Sequence, residues 1–257
     1  MRKGETTMLL EKLSGQKNAL KGKSVLITGG GGGIGFEAAK ALAYLGADVL
    51  VAEIGREKGT AAREELKRLF PQARIDFYEA DLSEEEQILG LYEWTAQNYG
   101  CVDILLHNAA MIAMGNVEEV PAETWDKSYR VNFRAPLRLT QLFLPEMRRR
   151  NSGTVVFVPS SGAAPYMGAY EVFKTAQVEL CNTLAGELEG TGVHTFAIAP
   201  GLVKTETAMR GIEAVAEKMG ITTEAFYAMN GSHILSAEEA GCGFALAVLN
   251  AERYDGQ

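Results

Sequence analysis

With 257 residues, 47% of them hydrophobic and 23% charged, the chain has material for one large α/β domain with a proper core. Its formal net charge of −8 argues against a nucleic-acid binder, which needs basic surface to displace phosphate counterions. Cys101, Cys181 and Cys242 lie far apart, form no CxxC pair and have no histidines at ligand spacing, which argues against a metal site or a disulfide framework.

Residues 1–22 mix charge with a few leucines and read as an N-terminal arm or short helix, without the apolar core of a signal peptide. No apolar run reaches the ~18–20 residues needed to cross a bilayer, so a cytoplasmic protein with no membrane partner is expected. Residues 23–257 read as a single domain. The run SVLIT from Ser24 is a first strand, followed by a glycine loop and a helix to Leu45. ADVLVAE is a second strand, Glu57 to Phe70 a second helix closed by Pro71, and RIDFYEA a third strand. In DLSEEEQ, Ser83 is placed to cap a helix whose first turn is acidic. VDILLHNAA gives a fourth strand ending near His107, a long helix follows Pro121, and GTVVFVPSS gives a fifth strand. Arg148, Arg149 and Arg150 close the long helix and read as a solvated cap. Ala169 to Glu189 is helical, and GVHTFAIAP is a sixth strand.

Several of these strands are near-continuous apolar runs, as in a parallel sheet buried on both faces. Their alternation with helices implies right-handed crossovers and a doubly wound Rossmann-type α/β sheet with helices on both faces. The chain closes on a helix with Ser236 at its N-cap and no strand signal after it, so the final edge strand is expected to be missing. Thr205 to Gly231 reads as a mobile helical lid. Met111, Ile112, Met114, Pro165, Tyr166, Met167, Met209, Phe226, Tyr227 and Met229 flank the expected site, either as an apolar pocket or as ordinary packing. His194 and His233 have no triad partner and read as core or surface histidines.

The first strand runs into Gly29-Gly30-Gly31-Gly32-Gly33-Ile34-Gly35. Glycines there let the backbone approach a pyrophosphate, and the N–H groups of the following helix face the anion. Glu53 ends the second strand, where a carboxylate accepts the ribose hydroxyls and repels a 2′-phosphate. NAD is therefore favoured over NADP, with Arg56 close enough to keep NADP open. Tyr170 and Lys174 are four apart on a helix and share a face. A lysine cation there is expected to lower the phenol's pKa and make it an acid/base for an alcohol–ketone interconversion.

Taken together these motifs resemble the short-chain dehydrogenase/reductase family over residues 22–256. TGGGGGIG resembles TGxxxGxG, HNAA at 107–110 resembles NNAG, Tyr170 and Lys174 match YxxxK, and residues 200–205 match PGxxxT. The resemblance implies catalytic roles for Asn132, Ser161, Tyr170 and Lys174, with Ser160 as the alternative serine. It implies cofactor contacts at Gly29, Gly33, Ile34, Gly35, Glu53, Asp81, Leu82, Asn108, Ala109, Tyr170, Lys174, Pro200, Gly201, Val203 and Thr205. It further implies an alcohol or ketone substrate and a homodimer or homotetramer. A 3-oxoacyl-thioester reductase and a non-catalytic NAD-binding sensor or scaffold are the alternatives. Three departures stand out: the loop between Ser161 and Tyr170 is short, His107 replaces an asparagine, and Glu171 follows the tyrosine where small residues are common.

Overall fold

The computed structural model describes residues 6–160, 165–229 and 234–257. Its centre is a six-stranded parallel sheet in the order β3-β2-β1-β4-β5-β6. The strands are β1 (Ser24–Thr28), β2 (Asp48–Glu53), β3 (Ile75–Glu79), β4 (Ile104–His107), β5 (Gly153–Phe157) and β6 (Val193–Ala197). The chain first winds outward from β1 to β3, then returns to β4 on the other side of β1. The crossovers at β1 and β4 therefore leave in opposite directions, and a crevice opens between their carboxyl ends.

Side chains alternate across each strand, and the two cores divide accordingly. Val25, Ile27, Val49, Val51, Ile104 and Leu106 face one core, closed by α2 (Gly33–Tyr44), α3 (Arg56–Leu69) and α10 (Ala237–Leu249). Leu26, Leu50, Leu105, Val155 and Phe157 face the other. That second core is covered by α4 (Glu85–Tyr99), α6 (Ala135–Arg150) and α7 (Gly168–Leu188). The remaining helices are α1 (Thr6–Glu11), α5 (Ala122–Tyr129), α8 (Glu206–Met219), α9 (Thr223–Met229) and α11 (Ala251–Tyr254).

The N-terminal arm is packed where it is described: Leu10, Leu13 and Leu20 are buried in the first core. Ser83 does not cap α4. Its hydroxyl donates to Asp81 Oδ1 at 2.7 Å, and Glu84 stands at the cap without a side-chain bond. The long helix after Pro121 is interrupted by a π-turn at Arg130–Arg134 between α5 and α6. Arg150 is not a solvated cap, since it donates to Asp103 Oδ1 at 2.9 Å and to the Val102 carbonyl at 2.9 Å. This ties the end of α6 to the approach to β4.

Ser236 caps α10 in a reciprocal capping box with Glu239, as the sequence predicts. Past α11 no strand forms, but the last residues lie along β6. Gly256 N–H donates to the Thr195 carbonyl at 2.9 Å, and Ala197 N–H donates to the Gln257 carbonyl at 2.8 Å. The region of the expected lid is two helices, α8 and α9. Its base is held by a small parallel pair that the sequence did not signal, β7 (Val203–Lys204) with β8 (Leu235–Ser236). Two residues per strand is too short for a periodicity to register. Among the described residues no helix is long and apolar enough to cross a membrane.

Candidate active site

The glycine loop leaves β1 with Gly29 at φ +66°. Gly35 must be glycine because a Cβ there would lie 2.3 Å from the Gly29 carbonyl oxygen. Gly31 is held equally closely, by the Glu53 carboxylate, which a Cβ would meet at 2.7 Å. Glu53 accepts from Gly31 N–H at 3.1 Å, Ile54 N–H at 3.0 Å and Gly55 N–H at 3.3 Å. The carboxylate therefore ties the end of β2 to the loop. No side chain caps the N-terminus of α2, whose cap is Gly32. Its first N–H groups thus suit an anion. A cradle this tight, ending on an uncapped helix, fits a dinucleotide pyrophosphate. Ile34 packs partly buried against the first core.

The other predicted cofactor residues gather around this loop. Asn108 Nδ2 donates to the carbonyls of Thr28 at 3.1 Å and Gly29 at 3.0 Å, and Ala109 N–H donates to Thr28 Oγ1 at 3.1 Å. The chain after β4 thereby clamps the start of the glycine loop. Thr205 caps α8 through its hydroxyl and lies against Gly33, so the 200–205 turn borders the same crevice. Val203 is buried, and Gly201 is exposed with φ +69°. Asp81 follows β3 and accepts from the Ser83 N–H at 2.9 Å, while Leu82 is buried in the second core. Arg56, the one cation that kept a 2′-phosphate in play, donates to Glu79 Oε2 at 2.7 Å.

Tyr170 and Lys174 lie on the first two turns of α7. Tyr170 is partly buried and Lys174 is 1% exposed. The expected electrostatics are reversed in the folded chain. Burial and the neighbouring Glu171 charge push the Tyr170 phenol up to about 12, while a hydrogen bond with Ser160 pulls it down. Burial lowers Lys174 to about 7, against a smaller opposing pull from Glu171. Burial strips the Lys174 amine of much of its charge, and no lysine influence on the phenol appears, so the sequence expectation of a lysine-lowered tyrosine is not met by the chain itself.

Asn132 is fully buried inside the π-turn. Its side chain holds the backbone of Met111, accepting from the N–H at 2.9 Å and donating to the carbonyl at 2.8 Å. It also donates to Ser128 Oγ at 2.8 Å. A π-turn displaces the usual i to i−4 ladder, and the Asn132 carbonyl takes its hydrogen from Gln177 Nε2. Sequence reasoning missed Gln177, although it lies three residues beyond Lys174 and so on the same helix face.

Ser161 and the short loop that begins with it, residues 161–164, lie outside the described residues, as does His233. Ser160 is described: its hydroxyl donates to Glu171 Oε1 at 2.9 Å. His107 is buried, pairs with Thr140 Oγ1 at 2.9 Å through Nε2, and packs on Phe157 with ring centroids 5.1 Å apart. Burial, with the Lys174 charge beside it, lowers its pKa to about 3, so the ring is neutral. It stands at the asparagine position as a packed, neutral ring. His194 Nδ1 lies 3.1 Å from Asp255 Oδ2, away from this crevice. Among the described residues no group of three or more His, Cys, Asp or Glu is arranged to hold a metal ion.

Of the expected pocket residues, Met114 lies against Gly211 of α8, and Gly115 N–H donates to the Tyr166 carbonyl at 2.8 Å. Met209 and Met229 are exposed. Lys218 of α8 lies 3.7 Å from Glu119 and 5.9 Å from the Tyr166 ring centroid. Helix α8 is thereby pinned to the loops opposite it.

The short-chain dehydrogenase family model matches residues 23–215. The chain is 33% identical over 208 residues to D-beta-hydroxybutyrate dehydrogenase of Cupriavidus necator, covering 80% of each chain. L-sorbose reductase of Gluconobacter frateurii, solved with NADPH and L-sorbose, superposes with a TM-score of 0.83 at 25% identity over 92% of this chain and 93% of that one. A xylitol dehydrogenase with NAD+ bound has the same fold, with a TM-score of 0.83 at 22% identity over 92% of this chain and 96% of that one. The chain belongs to the short-chain dehydrogenase/reductase family of nicotinamide-dependent oxidoreductases.

Proposed function

We propose that the protein interconverts a secondary alcohol and a ketone with NAD(H), using Tyr170 as the proton-transferring group. The observation that supports this reading is a helix face bearing Tyr170 and a buried Lys174, the lysine lying beside His107 at the end of β4, next to the strand that leads into the glycine cradle. The NAD+/NADH pair supplies a hydride acceptor or donor for the carbinol carbon. Gly29, Gly33, Ile34 and Gly35 hold the pyrophosphate end, Glu53 the adenosine ribose, and Asp81 and Leu82 the adenine side. Asn108, Ala109, Pro200, Gly201, Val203 and Thr205 line the nicotinamide side.

Tyr170 takes the proton of the alcohol oxygen in oxidation and returns it in reduction. Lys174, when protonated, favours the phenolate and donates to the cofactor's ribose. Asn132 fixes the backbone at Met111, and so the floor beneath the substrate. Helices α8 and α9 close over the substrate and exclude water. The test is a panel of hydroxy acids, polyols, sugars and their ketones with each cofactor, followed by nicotinamide absorbance. No turnover with any of them, in a protein that binds NAD, would sink the reading and leave a binding protein.

Glu53 carries the cofactor choice. A carboxylate that already accepts three N–H groups can share its remaining lone pairs with ribose hydroxyls but repels a phosphate. Arg56, the cation that could offset that repulsion, is paired to Glu79. Glu53→Ala is expected to lower the ratio of NAD to NADP affinity at least tenfold, or about 1.4 kcal/mol. Titrating both dinucleotides into wild type and variant measures it, and an unchanged ratio counts against Glu53.

A hydroxyl has one proton to donate, and that of Ser160 goes to Glu171. The donor to the substrate oxygen is accordingly assigned to Ser161. Ser161→Ala is expected to lower kcat/KM about 10²-fold, the scale of a lost transition-state donor. Ser160→Ala should cost under about tenfold, consistent with losing one neutral hydrogen bond. Steady-state kinetics on both variants decides, and the reverse order of effects would make Ser160 the donor.

A further inference from the structure

Glu171 is a buried acid that the proposed mechanism does not use. It is 8% exposed, in the first turn of α7, between Tyr170 and Lys174. One oxygen accepts the Ser160 hydroxyl, and the other, Oε2, is buried with no hydrogen-bond partner. Burying an acid this way carries a desolvation penalty that a single hydrogen bond does not fully repay. Folding alone would be better served by an apolar or small residue. Among the described residues, the groups facing this stretch of α7 leave Glu171 as its one acid. Ser128 and Asn132, from α5 and the π-turn, are uncharged polar groups. His107, at the end of β4, is neutral, and Ser160 follows β5. On α7 itself the other titratable groups are Tyr170 and Lys174 and, farther along, the exposed Glu179 and Glu187 and the buried Cys181, whose charged neighbour is Asp255 beside β6.

We propose that Glu171 is a positioning residue whose carboxylate competes with the Tyr170 oxygen for the Ser160 proton and tilts the Tyr170–Lys174 pair toward its proton-donating form. This rests on Tyr170 being the acid/base of the site. A negative charge beside a phenol and an ammonium favours the protonated form of both, and its effect on each runs in that direction here. A pair kept protonated is an acid, the form that delivers a proton to a ketone oxygen. The chain thereby extends carbonyl reduction to higher pH and delays the onset of alcohol oxidation.

The test uses Glu171→Gln, which keeps the shape and an acceptor for Ser160 but removes the charge. In alcohol oxidation, the pH of half-maximal kcat/KM is expected to fall by about 0.5–1 pH unit. In ketone reduction, the loss of rate at high pH should move down with it. Ser160→Ala should move the same limb upward, because it removes the hydrogen bond that opposes the carboxylate. Glu171→Asp keeps the charge but not the reach, and should leave the limb in place while lowering kcat.

A second readout does not need turnover. Ultraviolet difference titration of each protein against the same protein carrying Tyr170→Phe isolates one phenolate among nine tyrosines. That phenolate should appear at lower pH in Glu171→Gln. If neither the kinetic limb nor the phenolate moves, the proposal is overturned. If the phenolate moves in a protein with no turnover, Glu171 stands and the assignment of the reaction fails. Should Glu171→Gln not fold, the opposed pair Ser160→Ala and Glu171→Asp decides: no upward movement in the first, or a downward one in the second, overturns the proposal.

Discussion

Replacing Tyr170 with phenylalanine is expected to cut kcat by about 10³-fold, within the range general acid–base catalysis supplies. The ring that packs at the start of α7 stays, and only the hydroxyl is lost. The melting temperature and NAD affinity should therefore be close to those of wild type. The pH limb of alcohol oxidation should disappear with the phenol, because no other group at the crevice carries that proton. Turnover within tenfold of wild type, in a variant that binds NAD normally, would remove Tyr170 from the chemistry.

Lys174→Met should abolish turnover while making the protein more stable, and the two effects have one cause. Lys174 is buried, and its folded-state pKa is pushed down to about 7 from 10.5. Between those values the unfolded chain binds more protons than the folded one, so folding stability rises with pH across this window. Below about pH 7 the folded chain carries the buried charge and the penalty is at its full size, on the order of a few kcal/mol. A methionine fills a similar volume with no charge to desolvate. The variant should thus melt several degrees higher near pH 7, at about 2–4 °C per kcal/mol for a domain of this size. The gap should narrow toward pH 10, where the wild-type lysine is neutral in the fold and pH lies within one unit of its unfolded value of 10.5, so that little of the cost of deprotonating it remains. Calorimetry at both pH values measures it, and a variant less stable at pH 7 would show that Lys174 is a structural tie. The activity loss is expected to reach about 10³-fold, since the tyrosine loses the cation that favours its phenolate.

Much of the architecture was legible because it is local. SVLIT, DVLVAE and TVVF are apolar on both faces, and only strands covered by helices on both sides can bury such runs. The glycine run after β1 was legible for a steric reason, since side chains at Gly31 and Gly35 would collide with Glu53 and the Gly29 carbonyl. Ser236 announced a helix start as an N-cap serine, and the structure adds Glu239 as its reciprocal partner. Ser83 misled because an N-cap signal competes with any carboxylate two residues back, and here Asp81 took the hydroxyl. Arg150 misled because a helix end looks solvated until the neighbouring strand is placed, and Asp103 is brought to it only by the β4–β5 pairing.

The sequence by itself determined the doubly wound sheet, the phosphate cradle and the helix face shared by Tyr170 and Lys174, since each depends on residues within a few positions of one another. Only the tertiary structure decided how those groups are tuned. It turned Glu171 inward onto Ser160, buried Lys174 beside His107, and gave the Asn132 carbonyl to Gln177. Charge state is set by desolvation and by neighbours that packing brings together. That packing is fixed by how α7 seats against the sheet and the π-turn, information that no spacing along the chain contains.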